Sequence, residues 1–295
     1  MNSILETLGN TPLIRLNNIN KDIYLKIEKN NPTGSVKDRP VYYMIENLEK
    51  QGLINKNTTL TVSTSGNTGI SLSMIGTMKG YEVVIIMPEN MSKERQLIMK
   101  AYGAKLILTD KALGMQGALD KENELIKSNP SYISIKQFED KYNVLSHYET
   151  TAEEIIKDLK NIDIFVTGVG TGGTISGVGK RLKEFNSNIK IIAIEPAASP
   201  MMSKGKKGPH MIQGIGAGFI PKILNINIID EVITIENGEA FEGIGLLGRK
   251  EGILAGISTG ANLMGALKVA DKYPNKNIVT IACDGFEKYL SLNIL

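Results

Sequence analysis

The stretch DIFVTGVGTGGT, residues 163–174, places a run of β-branched and aromatic residues directly before a glycine-rich turn. The stretch TLTVSTSGNTG, residues 59–69, repeats this order, and an amphipathic segment follows each stretch. A short apolar strand, a glycine turn and a helix are the repeating parts of βαβ units. The sequence therefore predicts an α/β fold.

From residue 57 onward, short apolar runs alternate with segments of helical periodicity. Ile70, Met74, Ile75 and Met78 recur at helical spacing after the first glycine loop. The apolar runs are nearly continuous, which predicts strands buried on both faces of mostly parallel sheets. The clearest predicted strands are Thr59–Thr64, Glu82–Met87, Lys105–Thr109, Tyr132–Ile135, Asp163–Thr167, Lys190–Ile194, Glu231–Ile235 and Ile278–Ala282.

Composition argues against several classes of protein. The net charge of +3 is spread along 295 residues, so no stripe suited to nucleic acid is expected. No apolar run reaches membrane-spanning length, and residues 1–16 lack the pattern of a signal peptide, so we expect a cytoplasmic protein without a membrane partner. With two histidines and the single Cys283, a metal site is not expected, and we interpret this cysteine as a small buried residue.

The loop of residues 63–69 combines hydroxyl and amide side chains with two glycines between a strand and a helix. Exposed N–H groups at a helix start bind carboxylates or phosphates, so the loop predicts an anion site. An ordinary capped turn explains the residue types but not the gathering of so many donors. The loop of residues 168–174 offers a second anion site. Its spacing also fits a dinucleotide-binding fingerprint, with Glu195 as the ribose-binding acid, so that alternative stays open.

Lys37 follows a proline and glycine turn and stands at a predicted helix start. The positive end of the helix dipole disfavours an ammonium group there, so the amine loses its proton more readily and can attack an aldehyde. For a lysine considered alone, a solvated surface position is the simpler interpretation. Residues 214–218 are equally open between a ligand loop and an ordinary connector, whereas residues 256–261 precede a helix and Ser258 is by default a helix cap.

Taken together and in order, these segments closely resemble the cysteine synthase (O-acetylserine sulfhydrylase) family and its relative cystathionine β-synthase, which are pyridoxal-phosphate enzymes of fold type II. The resemblance runs nearly end to end. It is carried by Leu8–Leu13, Asn31–Arg39, Thr64–Gly69, Met87–Glu89, Gly114–Met115, Gln137–Phe138, Gly170–Thr174, Pro209–Pro221 and Glu251–Ala261.

The resemblance implies a role for each matching residue. Lys37 is similar to the lysine that holds pyridoxal 5′-phosphate as a Schiff base and acts in catalysis. The other implied cofactor ligands are Asn67 at the pyridine 3′-oxygen, the phosphate loop Gly170, Thr171, Gly172, Gly173 and Thr174, and Ser258 at the pyridine nitrogen. The implied substrate residues are Thr64, Ser65, Gly66, Thr68, Gln137, Gly216, Ala217 and Gly218.

The resemblance also implies the architecture: two three-layer α/β domains with twisted sheets, as in the tryptophan synthase β-like fold. A smaller mobile domain is expected over residues 38–140, with residues 1–37 plus 141–295 forming the larger, cofactor-binding domain. A homodimer is expected from the family alone.

The implied reaction is β-replacement through an aminoacrylate intermediate, converting O-acetylserine and sulfide to cysteine and acetate. The principal alternative applies the same chemistry to cysteine, releasing hydrogen sulfide and forming lanthionine, cystathionine or serine. A further alternative is a nicotinamide-dependent dehydrogenase, which leaves Lys37 and the Thr64–Gly69 loop unexplained. Another is an inactive peptide-binding scaffold, and the retention of Lys37, Asn67 and Ser258 argues against it.

Overall fold

The computed structural model describes residues 2–64, 66–292 and 294. Its strands are β1 (Leu13–Arg15), β2 (Ile23–Lys26), β3 (Thr59–Ser63), β4 (Glu82–Pro88), β5 (Lys105–Thr109), β6 (Tyr132–Ser134), β7 (Ile164–Gly168), β8 (Lys190–Pro196), β9 (Glu231–Ile235) and β10 (Ile278–Ile281). Its α-helices are α1 (Asp38–Lys50), α2 (Asn67–Met78), α3 (Lys93–Ala101), α4 (Gly114–Ser128), α5 (Lys141–Ser146), α6 (Ala152–Asp158), α7 (Gly173–Phe185), α8 (Met201–Lys204), α9 (Asn237–Glu251) and α10 (Ile257–Lys272). Short 3₁₀ turns cover Ile4–Thr7, Glu28–Asn30, Lys111–Leu113, Ile226–Ile228 and Phe286–Leu292, and a π-helical turn covers His147–Thr151.

The smaller sheet has the strand order β5-β4-β3-β6, and every neighbouring pair in it is parallel. All five residues of β3 are buried, as the continuous apolar pattern predicts for a strand covered on both faces. Val62, Ile70 and Ile85 belong to one core cluster, which joins this sheet to α2. The helical periodicity of Ile70, Met74 and Ile75 therefore reflects packing against the sheet, whereas Met78 is exposed.

The larger sheet has the order β1-β2-β10-β7-β8-β9. Its strands pair in parallel except for β1, which pairs with β2 in an antiparallel hairpin. Two core clusters cover its faces, one containing Val166 and Ile194 and the other containing Phe165 and Ile191. Neighbouring residues of β7 and β8 thus point to opposite faces, as the period of two in a strand requires.

The eight predicted strands are confirmed, with differences of no more than two residues at their ends. The sequence prediction missed β1 and β2. Both strands are short, and β1 has two exposed residues out of three, so neither produces a long apolar run. The α/β fold class with mostly parallel sheets is confirmed.

The sheets place two glycine loops at one region of the molecule. β3 leads into the loop before α2, and β7 leads into the loop before α7. In open α/β sheets, ligands bind beyond the carboxyl ends of the strands, where such helix starts gather. The strands of the smaller sheet lie within residues 38–140 and those of the larger sheet lie outside that range. The division into two domains with these boundaries stays a prediction. Over the described residues, none of the helices combines the length and apolarity needed to cross a membrane.

Candidate active site

A cavity of about 330 Å³ lies between the two sheets. Twelve of the predicted site residues line it: Lys37, Thr64, Gly66, Asn67, Thr68, Gln137, Gly170, Thr171, Gly172, Thr174, Ala217 and Ser258. Gly173, Gly216 and Gly218 are not in its lining, although each adjoins a residue that is. Ser65 lies outside the described residues. The fold thus brings loops far apart in sequence to one cavity.

Lys37 occupies the position directly before α1 and contributes to the cavity wall. Burial of its amine lowers its pKa, and the neighbouring Cys283 and Asp284 oppose this effect only in part. Because desolvation penalises the ammonium form, the uncharged amine needed for attack on an aldehyde is favoured. The predicted location at a helix start is confirmed.

The residue after the lysine anchors the start of α1. Asp38 is fully buried, and its carboxylate accepts hydrogen bonds from the Thr33 backbone N–H at 2.7 Å and from the Ser71 hydroxyl at 2.5 Å. Ser71 belongs to α2, so the bond ties the two helices together. This anchoring limits the positions that the Lys37 side chain can reach.

A cluster of buried ion pairs holds α1 in place through Arg39. Arg39 Nε contacts a Glu28 carboxylate oxygen at 2.7 Å, Arg39 Nη1 contacts Glu154 at 2.6 Å, and Lys26 Nζ contacts Glu154 at 2.7 Å. Burial raises the pKa of Glu154, but the bonds from Arg39 and Lys26 outweigh it and hold the pKa at about 2. The cluster therefore stays ionised at neutral pH and fixes α1 against α6.

The loop before α2 presents side-chain donors. Thr64, Asn67 and Thr68 line the cavity, and the Thr68 hydroxyl donates to Gln137 Oε1 at 2.6 Å. This bond connects the start of α2 to the segment after β6, two elements that the sequence prediction placed in one substrate site. Together with the N–H groups of the helix start, these side chains form a cradle suited to a carboxylate.

The loop before α7 presents its backbone instead. Gly172 has a φ of +87°, a left-handed conformation that favours glycine. A Cβ atom on Gly170 would lie 2.2 Å from the Gly214 carbonyl oxygen, so only glycine fits there. Thr171 and Thr174 add hydroxyl groups to this cradle. Thr171 accepts a hydrogen bond from Asn143 at 3.1 Å, and the Thr174 hydroxyl lies 3.3 Å from a ring nitrogen of His147.

Glu195, the acid required by the dinucleotide alternative, has other partners. Its carboxylate accepts the backbone N–H groups of Met202 at 2.7 Å and Ser203 at 3.1 Å, at the start of α8. The side chain is 2% exposed and does not line the main cavity. A carboxylate held by a helix start is not available to a ribose, so the geometry disfavours a nicotinamide dinucleotide site.

The two segments that the sequence left open both reach the cavity. Gly214 and Ala217 line it, and Gly216, with a φ of +70°, accepts a hydrogen bond from His210 Nε2 at 2.9 Å through its carbonyl oxygen. Ser258 also lines the cavity, but the N-cap position of α10 belongs to Gly256. The default interpretation of Ser258 as a helix cap is therefore wrong, because the helix begins one residue before it.

Several cavity residues escaped the sequence prediction, among them Arg95, Gln213, Asp284 and Tyr289. The Asp284 carboxylate accepts hydrogen bonds from Asn67 Nδ2 at 2.7 Å and from the Tyr289 hydroxyl at 2.6 Å. Asn67 and Asp284 are separated by 217 residues, so local spacing carries no signal of their contact. The cavity lining also includes Cys283, where burial raises the pKa of the thiol to about 11.

These residues fit pyridoxal phosphate, the cofactor that the resemblance implies. A desolvated amine can bind its aldehyde, the backbone cradle can hold its phosphate, and neutral polar groups from Asn67 and Ser258 can meet its ring. Asn67 Oδ1 and Asp284 Oδ1 are buried and have no hydrogen-bond partner within the described ranges. Unsatisfied buried polar atoms are rare, which is consistent with a site built for a polar ring.

Comparisons with known proteins agree with this geometry. The profile of the family "Pyridoxal-phosphate dependent enzyme" matches residues 4–284. Cysteine synthase B of Campylobacter jejuni is 47% identical over 292 residues, which cover 99% of this chain and 97% of that protein. A hydrogen sulfide-producing enzyme from Fusobacterium nucleatum has a TM-score of 0.93 at 47% identity, covering 98% of this chain and 99% of that one. Cysteine synthase from Entamoeba histolytica has a TM-score of 0.96 at 42% identity, covering 100% and 90%. The chain therefore belongs to the pyridoxal-phosphate-dependent enzyme family, as an enzyme of the cysteine synthase type.

Proposed function

We propose that the protein is a cysteine synthase that replaces the acetate group of O-acetylserine with sulfide. The observation that carries the proposal is one cavity with a desolvated lysine amine and two separate anion cradles. One cradle suits the cofactor phosphate and the other suits the carboxylate of an amino acid. The named relatives from Campylobacter jejuni and Entamoeba histolytica support the choice of reaction.

Each predicted site residue has a place in this proposal. Lys37 would hold the cofactor aldehyde, Asn67 would hold the 3′-oxygen, and Ser258 would hold the ring nitrogen. The phosphate ligands are Gly170, Thr171, Gly172, Gly173 and Thr174. The amino-acid ligands are Thr64, Ser65, Gly66, Thr68 and Gln137, with Gly216, Ala217 and Gly218 forming the wall beside the substrate.

Bound pyridoxal phosphate supplies an electron sink for bonds at the α-carbon of the amino acid. The Lys37 amine, which its lowered pKa leaves uncharged, would remove the α-proton as a general base. The β-carbon–oxygen bond breaks and acetate leaves with the electron pair. Sulfide then forms a bond to the β-carbon, and the ammonium of Lys37 returns a proton to the α-carbon.

Ser258 would determine which of the possible reactions at the amino acid is favoured. Its hydroxyl is neutral, so it does not hold the ring nitrogen protonated as a carboxylate would. The electron sink is therefore weaker, which favours loss of the β-substituent over transamination or racemisation. Closure of the loop that carries Thr64 and Thr68 over the substrate carboxylate excludes water from the reacting β-carbon.

Two measurements test this function. The purified protein with pyridoxal phosphate is assayed for cysteine formation from O-acetylserine and sulfide. In parallel, borohydride reduction followed by peptide mass spectrometry locates the covalently attached cofactor. We expect turnover and a pyridoxyl group on Lys37. Modification of another lysine, or no cysteine formed, would contradict the assignment.

A second candidate function uses cysteine as the first substrate. It is favoured by the 47% identity to an enzyme described as hydrogen sulfide-producing. The purified protein is incubated with cysteine alone, and released sulfide is measured. Rapid release without O-acetylserine activity would select this function over cysteine synthesis, since the same residues can expel sulfide in place of acetate.

We also propose a cytoplasmic homodimer. A single cysteine excludes disulfides within the chain, which is typical of reducing compartments. The dimer follows from the family resemblance. Analytical ultracentrifugation at micromolar concentration is expected to give twice the chain mass of 32.2 kDa, and a monomer would contradict this part of the proposal.

A further inference from the structure

Asp284 is a buried carboxylate in the cavity that the proposed chemistry does not use. It follows β10, is 1% exposed and lines the cavity beside Lys37. Its backbone carbonyl accepts the Gly256 N–H at 3.0 Å, which fixes the residue next to the start of α10. Burial of a carboxylate is costly unless its oxygens are paired, so its position calls for a specific role.

The hydrogen bonds of this carboxylate are unequal. Oδ2 accepts from both Asn67 Nδ2, at 2.7 Å, and the Tyr289 hydroxyl, at 2.6 Å. Oδ1 is buried without a hydrogen-bond partner among the residues that the structure describes. The carboxylate is thus oriented by two donors, one from the start of α2 and one from the C-terminal 3₁₀ turn.

The bond to Asn67 determines the orientation of that amide. Asp284 Oδ2 accepts this bond, so the amide nitrogen of Asn67 faces Asp284 and the amide oxygen faces away. The amide nitrogen carries two N–H groups, and one of them is sufficient for Asp284. The second N–H remains for a partner in the cavity.

We propose that Asp284 is a positioning residue, which holds the Asn67 amide so that its second N–H points at the 3′-oxygen of the bound cofactor. The inference rests on the role given to Asn67 in the proposed function. Tyr289 secures the Asp284 carboxylate in this orientation.

Contacts around Tyr289 connect the Asp284 carboxylate to α3, a helix that follows β4 of the smaller sheet. The Arg95 guanidinium lies 4.8 Å from the centre of the Tyr289 ring, and Arg95 Nη1 donates to Gln213 Oε1 at 2.8 Å. Arg95 belongs to α3, whereas Tyr289 lies in the C-terminal 3₁₀ turn. The orientation of Asp284 therefore depends on the two halves of the cavity being together.

A double-mutant cycle tests whether Asp284 acts through Asn67. Holoenzyme of wild type, Asp284→Ala, Asn67→Ala and the double variant is compared in cofactor dissociation constant and in the pH midpoint of the visible band of the bound cofactor. We expect each single variant to bind the cofactor about tenfold more weakly, as for loss of a charge-assisted hydrogen bond, with shifted midpoints. The double variant is expected to be no weaker than Asn67→Ala. If the losses of cofactor affinity in the two single variants multiply in the double variant, the proposal is overturned. An unchanged visible band in Asp284→Ala would overturn it as well.

Matched variants distinguish a positioning role of Asp284 from a role in folding. Asp284→Asn retains an oxygen that can accept from Asn67, so it is expected to recover most of the affinity and the wild-type band. Glu287→Gln, at an exposed carboxylate of the same segment, is expected to change neither readout. If Asp284→Ala does not fold, the cycle is run with Tyr289→Phe and Asn67→Ala, and multiplying effects there would overturn the proposal equally. Failure of wild type to bind the cofactor through Lys37 would instead contradict the proposed function.

Discussion

The two glycine loops at the cavity occupy equivalent positions in the two sheets, yet they present hydrogen-bond donors differently. The loop before α7 offers backbone N–H groups, and Gly170 and Gly172 are fixed by contacts and torsions that only glycine allows. The loop before α2 offers side chains, which bond to distant elements through Asn67 and Thr68. A fixed backbone cradle suits a resident phosphate, whereas a side-chain cradle with partners elsewhere suits a ligand that must enter and leave.

Lys37 lines the same cavity as both loops, and its replacement has the largest expected effect. Lys37→Ala removes the covalent attachment of the cofactor and the general base together. We expect the rate of cysteine formation to fall by at least about 10³-fold, because base catalysis alone contributes about 10²–10⁴-fold. Steady-state kinetics at saturating cofactor measures the loss. A variant that keeps even a tenth of the activity would contradict the role of this amine.

The backbone cradle is tested by Gly170→Ala. The added Cβ would lie 2.2 Å from the Gly214 carbonyl oxygen, so the loop must shift, at a cost of about 1–3 kcal/mol. We expect the variant to release the cofactor at least about tenfold more readily, measured by absorbance after dialysis. Gly238→Ala is the matched control, because no atom of the described residues lies within 4 Å of a Cβ there. Equal cofactor retention in both variants would remove the distinction between the loops.

The side-chain cradle is tested by Thr68→Val. The substitution deletes the hydroxyl that donates to Gln137 while keeping the shape of the side chain. We expect KM for O-acetylserine to rise about tenfold, or about 1.4 kcal/mol, with cofactor affinity unchanged. Thr77→Val, at an exposed position of α2, serves as the control. A loss of cofactor affinity without a change in KM would reverse the assignment of the two cradles.

The smallest expected effect concerns the ion cluster that joins α1 to α6. The folded pKa of Glu154 is about 2, below its unfolded value of about 4.3, so its contribution to stability is complete above about pH 5. As the pH falls towards 2, the unfolded chain takes up protons first and this contribution is lost. Urea unfolding is expected to show that wild type loses about 1 kcal/mol more than Glu154→Gln between pH 7 and pH 3.5. Parallel losses in the two proteins would contradict the low pKa.

Local motifs explain which parts of the site were predictable. Lys37, Thr68 and Gly170 stand in short segments whose glycines, hydroxyls and flanking strands indicate a ligand loop, and the structure brings all three to one cavity. The nearly continuous apolar runs likewise predicted the long strands. Asp284 could not be predicted, because its importance lies in contacts with Asn67 and with Tyr289 across the fold. The β1 and β2 hairpin was missed because both strands are too short to give a long apolar run.

Cys283 gives the cavity a property of its own. The protein has one thiol, and a pKa of about 11 keeps it protonated at neutral pH. Since the thiolate is the nucleophile in disulfide exchange, this sulfur is a poor partner for persulfides or mixed disulfides. The cavity therefore holds a cysteine near Lys37 that reacts only slowly with disulfides or persulfides that enter it.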